Sequence, residues 1–234
     1  MKKLQGLIAV VIILMVASVA QAATIESWDT GLGAKLGSIG INSLSASDAV
    51  SPATYWSTSG TGSTTRLVLA ADAIGSFGIF DTTDHSNTYE IFNENAVAGA
   101  YTSFAFEGNS IMAQDGQTIL ATFASGNSFG YYLTVGGITY YSDEAPDRMV
   151  AFKGGSGEII HRSDLPSATW GTFNAEDYIL AWDTNPFMST YDDFIVFAES
   201  VDPSAVPEPS SLLLLGGGLI GLGFAGYRRL QNKQ

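Results

Sequence analysis

The chain has 234 residues, 46% of them hydrophobic and 14% charged, with no cysteine and a formal net charge of −13. Acidity on this scale repels nucleic acid and anionic lipid and attracts cations. With no cysteine to form disulfides, an exported domain of this composition must be held by its core or by bound ions.

The first residues, MKKLQGLIAVVIILMVASVAQA, carry the parts of a secretory signal in order. Lys2 and Lys3 give a positive start, Leu7 to Val16 is an unbroken apolar run, and Ala20-Gln21-Ala22 supplies a small-x-small cleavage pattern. Residues 1–22 are therefore expected to be removed, and the exported chain to begin at Ala23. From Ala23 to Val206 five basic residues (Lys35, Arg66, Arg148, Lys153 and Arg162) face 22 acidic ones, a net charge of −17.

Asn42 to Thr65 holds 12 Ser and Thr in 24 residues and shows no aliphatic alternation. That composition fits a loop, with O-glycosylation as one use of it. It also fits a β-strand edge decorated with hydroxyls, which is the preferred reading. Beyond it come short runs rich in aromatic and β-branched residues, separated by Gly, Asn, Asp and Ser. Predicted strands are 65–71, 76–80, 89–92, 102–106, 119–123, 129–135, 138–141, 149–152, 158–162, 178–182 and 193–201. In YILAWD, strand geometry puts Tyr178, Leu180 and Trp182 on one face and Ile179, Ala181 and Asp183 on the other. FGYYLTVGGITYY predicts a hairpin closed by Gly136-Gly137, a pair free to take the positive φ of a two-residue turn. Its Tyr131, Tyr132, Tyr140 and Tyr141 are candidates for sheet packing or for stacking on sugars. No stretch keeps a helical period over three turns. The fold class is all-β: a single β-sandwich or jelly-roll-like domain over 23–203, with a linker at 204–211.

Residues suited to chemistry are few. His85 lies in the turn-rich stretch DTTDHSNT and reads as a solvated loop histidine, while His161 sits in a predicted strand with no visible partner. No H-E-x-x-H pair occurs, and the chain is read as non-catalytic. Acids gather at Asp81 with Asp84, at Asp143, Glu144 and Asp147, and at Asp183 with Asp192 and Asp193. Clusters of hard oxygens suit calcium, and adjacent carboxylates repel unless a cation lies between them. Asp and Asn also favour turns without any ion.

Towards the other end, Leu212 to Tyr227 is a 16-residue apolar segment with six glycines. It would make about 24 Å of helix, short of the roughly 20 residues that comfortably cross a bilayer core. Arg228, Arg229 and Lys233 follow, and their charge would keep them in the cytoplasm. A helix over 212–229 is therefore expected to hold the chain in the inner membrane transiently.

Pro207-Glu208-Pro209, Ser210-Ser211, the Leu/Gly-rich segment and Arg228-Arg229 together resemble the PEP-CTERM sorting signal of Gram-negative bacteria over residues 206–229. The resemblance implies that a membrane-embedded transpeptidase-like enzyme, an exosortase, cuts near Pro-Glu-Pro and delivers the protein to the cell surface or exopolysaccharide matrix. A second set of segments occurs in order: FGIFD (77–81), EIFN (90–93), FGYYL (129–133), YYSD (140–143), ILAWD (179–183) and YDDFIVFAESVDP (191–203). It resembles a β-rich domain of unknown function found in bacterial extracellular proteins. That resemblance implies a calcium set of Asp183, Asp192 and Asp193. Ser189 and Thr190 precede Tyr191 where that family has acids before the tyrosine, which implies weak or water-completed calcium binding. The chain is thus read as an exported, non-catalytic surface or matrix protein that acts structurally or by binding glycan, with calcium as a candidate ligand. An extracellular polysaccharide hydrolase, with two acids about 5–9.5 Å apart across a cleft, and a self-associating adhesin or scaffold are the alternatives.

Overall fold

The computed structural model describes residues 25–204 apart from 27, 51–54, 60–62, 73–74, 145–146, 162–167, 186 and 188. The expected signal peptide, the sorting residues Pro207, Glu208, Pro209, Arg228 and Arg229, and the segment 212–229 lie outside the described residues. Among the described residues no helix is long and apolar enough to cross a membrane.

After helix α1 (Leu32–Ser38) and a 3-10 turn (Ala46–Asp48) the chain is built from strands. The first eight are β1 (Ala49–Val50), β2 (Tyr55–Thr58), β3 (Ser63–Ala71), β4 (Gly75–Asp81), β5 (Asp84–Phe92), β6 (Tyr101–Glu107), β7 (Ser110–Ala113) and β8 (Ile119–Thr122). The rest are β9 (Phe129–Val135), β10 (Ile138–Tyr141), β11 (Met149–Lys153), β12 (Ile159–His161), β13 (Thr169–Thr172), β14 (Tyr178–Trp182), β15 (Phe194–Ala198) and β16 (Val201–Ser204). An eight-stranded sheet, sheet A, has the order β1-β11-β14-β15-β3-β6-β7-β8. Sheet B has the order β16-β2-β9-β4-β5, with β10 also paired to β9, and β12 and β13 form a separate hairpin. The all-β expectation holds.

The main core lies between the two sheets. Val68, Leu180, Trp182, Phe194 and Val196 of sheet A meet Trp56, Phe77, Ile79, Phe129 and Tyr131 of sheet B, all essentially without solvent exposure. Ring pairs cross the gap, Trp56 to Tyr178 at 4.9 Å and Phe106 to Phe129 at 5.4 Å, separations at which edge-on and stacked aromatics attract. Arg66 is fully buried in this core. Its guanidinium lies over the rings of Phe104, Phe129 and Tyr131 and donates to the Tyr131 hydroxyl at 2.7 Å, a cation held by ring quadrupoles and neutral oxygens. Burial pushes Tyr131 up to about 12, against the opposing pull of Arg66.

The other face of sheet A is covered too. Val150, Phe152, Ile179, Ala181, Ile195 and Phe197 pack against Leu32 and Leu36 of α1, Ile39 and Ile41 beyond it, and Ile160 and Phe173 of the β12–β13 region. The alternation predicted for YILAWD is present, with Tyr178, Leu180 and Trp182 towards sheet B and Ile179 and Ala181 towards α1. Both cores and every strand pair among the described residues lie within residues 25–204.

The outer face of sheet B is covered differently. Phe80 lies directly opposite Gly130, and Tyr132 opposite Gly78. A Cβ on Gly130 would run into the Phe80 ring, and one on Gly78 into Tyr132 and the Tyr89 carbonyl. The glycines of FGIFD and FGYYL are thus the floor on which aromatic rings of the neighbouring strand lie.

Several expectations change. The Ser/Thr-rich stretch contains not just an edge but β2, an inner strand whose Trp56 is fully buried. β7 and β13 were not anticipated, because SIMA and TWGT are four-residue strands with weak alternation. The predicted strand 193–201 divides. At Ser200, φ is +54°; the Asp177 carboxylate accepts its N–H at 3.2 Å, and the chain passes from sheet A to sheet B. β16 then pairs with β2 as far as Ser204, so the sheet runs into what the sequence assigned to the linker.

Candidate functional site

The three predicted calcium residues lie at the ends of β14 and β15. Asp183, 2% exposed, accepts N–H groups from Asn185 at 2.7 Å and Thr190 at 3.1 Å. Burial raises its pKa, and the neighbouring Asp193 adds to the rise while the two N–H donors and Arg148 oppose it. Asp193 accepts from the Thr184 N–H at 2.7 Å and the Thr184 hydroxyl at 2.6 Å. Asp192 faces α1 instead: Lys35 Nζ is 3.4 Å from its carboxylate, 2.6 Å from its carbonyl oxygen and also in contact with Asp72. The fold therefore brings Asp183 and Asp193 to one turn and gives Asp192 to a lysine. Among the described residues no group of three or more His, Asp or Glu side chains is placed to hold a metal ion.

The Asp81 and Asp84 pair is turn chemistry of the same kind. Asp84 accepts from the Ser86 N–H and hydroxyl at 2.9 and 2.7 Å. Asp81, 1% exposed, accepts from the Thr83 N–H and hydroxyl, from Ser125 and from the Ala124 N–H, which ties the 124–125 loop to the end of β4. Burial acts to raise its pKa, but the donors from Thr83, Ser125 and Ala124 outweigh it and hold the carboxyl at about 2.

His85 is not the solvated loop histidine expected. It begins β5 one residue in, stacks on Tyr141 with centroids 4.6 Å apart and meets the edge of Phe80 at 4.6 Å. Its Nε2 is 2.9 Å from Asp143 Oδ2 and its Nδ1 is 3.2 Å from Glu144 Oε1, while the Tyr55 hydroxyl donates to the same Asp143 oxygen at 3.1 Å. With Asp143 bonded to Nε2 and Glu144 close to Nδ1, the imidazole staples the segment after β10 to β5. The sequence hid this because Asp143 and Glu144 lie 58 and 59 positions away. His161 is in β12 as expected, with its N–H bonded to the Ile39 carbonyl at 2.8 Å.

The four hairpin tyrosines are mainly packing. Tyr131 is in the core, Tyr132 is 7% exposed over Gly78, and Tyr140 and Tyr141 are half-buried. Aromatic surface is offered elsewhere. On the outer side of sheet A, where α1 gives way to the β12–β13 hairpin, a cleft of about 180 Å³ is lined by Thr65, Tyr101, Trp170, Thr172, Asn174, Phe197 and Glu199, with Gly171 in its wall. Tyr101 is 63% exposed, and its ring lies 5.1 Å from that of Trp170. Asn174 and Thr172 are joined by an Nδ2–H to carbonyl bond of 3.0 Å, and Thr65 shares a hydroxyl contact of 3.0 Å with Ser103. Apolar ring faces beside a few convergent amides and hydroxyls are the make-up of a small-ligand site. In the sequence only the lone aromatic in TWGT hinted at it, since Tyr101 and Trp170 are 69 positions apart and meet through the fold alone.

Comparison with known proteins bears on the tail. The PEP-CTERM protein-sorting motif profile matches residues 205–229. The chain therefore carries an exosortase sorting signal, which makes it an exported protein of the secretion and exosortase route to the cell surface. No curated protein matches the chain.

Proposed function

We propose that this is a non-catalytic protein of the cell surface or exopolysaccharide matrix, delivered by its sorting signal, which holds glycan chains in the Tyr101–Trp170 cleft. The observation that carries the reading is the pairing of an exposed tyrosine with Trp170 beside Thr65, Thr172 and Asn174. A pyranose ring presents C–H groups to an aromatic face and hydroxyls around its rim, and that pattern of apolar face and polar edge is what the cleft complements. Delivery to a matrix of polysaccharide would put the cleft where such ligands are abundant. Calcium at Asp183, Asp192 and Asp193 would have to displace the Lys35 ammonium from Asp192 and the Thr184 donors from Asp193, so it enters this reading only as a weak ligand.

The test is retention. Matrix prepared from producing cells should hold the protein through salt washing, and Trp170→Ala should release it. A variant retained as well as the unaltered protein would remove the cleft from the account.

A further inference from the structure

We infer that the cleft, accepted as the glycan site, takes neutral or amine-bearing pyranose chains and turns away polyuronates and other anionic polysaccharides. The proposal rests on that reading and adds the ligand's charge class to it.

Charge in the cleft comes from one side chain. Of the lining residues Thr65, Tyr101, Trp170, Thr172, Asn174, Phe197 and Glu199, only Glu199 is ionisable near neutral pH, and none is basic. The position of Glu199 is fixed by the backbone: its N–H bonds to the Thr65 carbonyl at 2.9 Å at the point where β15 ends and the chain turns towards sheet B. No hydrogen bond or ion pair within the described body engages its carboxylate. Asp177 and the buried Arg66 both lie near enough to feel its charge. The described cation close by is Arg66, next in sequence to Thr65. Alternation along β3 sends the Arg66 side chain into the core, where the Tyr131 hydroxyl and three rings enclose it. It cannot turn to meet a ligand on the far side of the strand.

A ligand carboxylate entering the cleft would thus face a carboxylate with no counter-charge on the ligand's side. Juxtaposed like charges are a means of rejecting the wrong partner, and the net −17 of the exported body from Ala23 to Val206 extends the same repulsion outwards. A neutral sugar reverses the role of Glu199. Its two oxygens can accept from a pair of adjacent hydroxyls, with Asn174 and the threonines completing the polar rim around a ring seated on Tyr101 and Trp170. An ammonium group on the sugar adds attraction to the same carboxylate.

The experiment is calorimetric titration of the protein with three hexasaccharides: cellohexaose, hexaglucosamine and hexagalacturonate. Cellohexaose and hexaglucosamine are expected to bind at least about tenfold tighter than hexagalacturonate, with the gap shrinking as salt rises. Glu199→Gln should move the cellohexaose-to-galacturonate ratio towards one, Trp170→Ala should abolish binding, and Thr139→Ala on sheet B should leave it unchanged. Equal affinity for the three sugars, or a ratio that Glu199→Gln does not alter, overturns the charge selection while leaving the glycan site in place. Failure of all three to bind a protein whose circular dichroism shows it folded removes the site, and the selection with it.

Discussion

The two sheets dispose of their outer faces in different ways. Sheet A buries its outer face under a second layer of chain, with α1 and the β12–β13 region over Ile179, Ala181, Ile195 and Phe197. Sheet B uses its own side chains, laying Phe80 over Gly130 and Tyr132 over Gly78. A covering layer has an end, and where the layer over sheet A stops a cleft opens against exposed Tyr101. Rings folded onto their own sheet leave no such overhang. Sheet B has instead a larger recess of about 360 Å³, lined by Gly75, Ser76, Glu90, Asn93, Thr134 and Gly137 and with no aromatic ring in its wall. The means of covering a sheet thus decides where aromatic faces stay open to a ligand.

That contrast can be broken by substitution. The largest effect is expected at Leu36→Ala, which opens a cavity in the layer over sheet A and should cost about 2–5 kcal/mol in urea unfolding. Gly78→Ala comes next, at about 1–3 kcal/mol, because the added methyl meets the Tyr89 carbonyl, which cannot swing aside. Gly130→Ala should cost a similar amount, since its methyl would meet the tip of the Phe80 ring, which lies on the ring's own rotation axis and is held against His85 and Tyr141. A cost near zero at either glycine would contradict this picture of sheet B.

Asp81 gives a pH signature of comparable size. Its folded pKa of about 2 lies below the ordinary aspartate value, so its contribution is present in full above about pH 4 and is lost as pH falls towards 2. The loss should be about 2–3 kcal/mol. In Asp81→Asn the acid limb of the stability profile should flatten over that interval; an unchanged limb would assign acid unfolding to other carboxylates.

Smaller effects are expected nearer the surface. Lys35→Met leaves Asp72 and Asp192 without their ammonium. Thermal melts in EGTA and in millimolar calcium should then separate further than in the unaltered protein, by about 1 kcal/mol or less. No added separation would mean that the lysine does not compete with a cation. Tyr101→Ala is predicted to change stability by only about 0.5 kcal/mol, as for exposed positions generally, yet to weaken glycan binding severely.

Much of the strand content was legible. Phe129–Val135, Ile138–Tyr141 and Tyr178–Trp182 fall where alternation and aromatic content put them. The two-faced burial of YILAW and FIVFA can be read from unbroken apolar runs only in part, because the pattern does not say what covers each face. The positive φ at Ser200, which sends the last strand into the other sheet, has no signal in the sequence, serine being an unusual residue for it. The aspartates were legible as a cluster, but not as acceptors of backbone N–H groups, since that use depends on where Asn185, Thr184 and Thr190 point. The tail motif needed no fold at all.

The most direct test of the account is an NMR titration of the isotope-labelled body with matrix polysaccharide fragments. Amide shifts should be confined to the neighbourhood of Thr65, Tyr101, Trp170, Thr172, Asn174 and Glu199. Shifts gathered instead on the sheet B face around Ser76, Thr134 and Thr139, or spread over neither face, would contradict it.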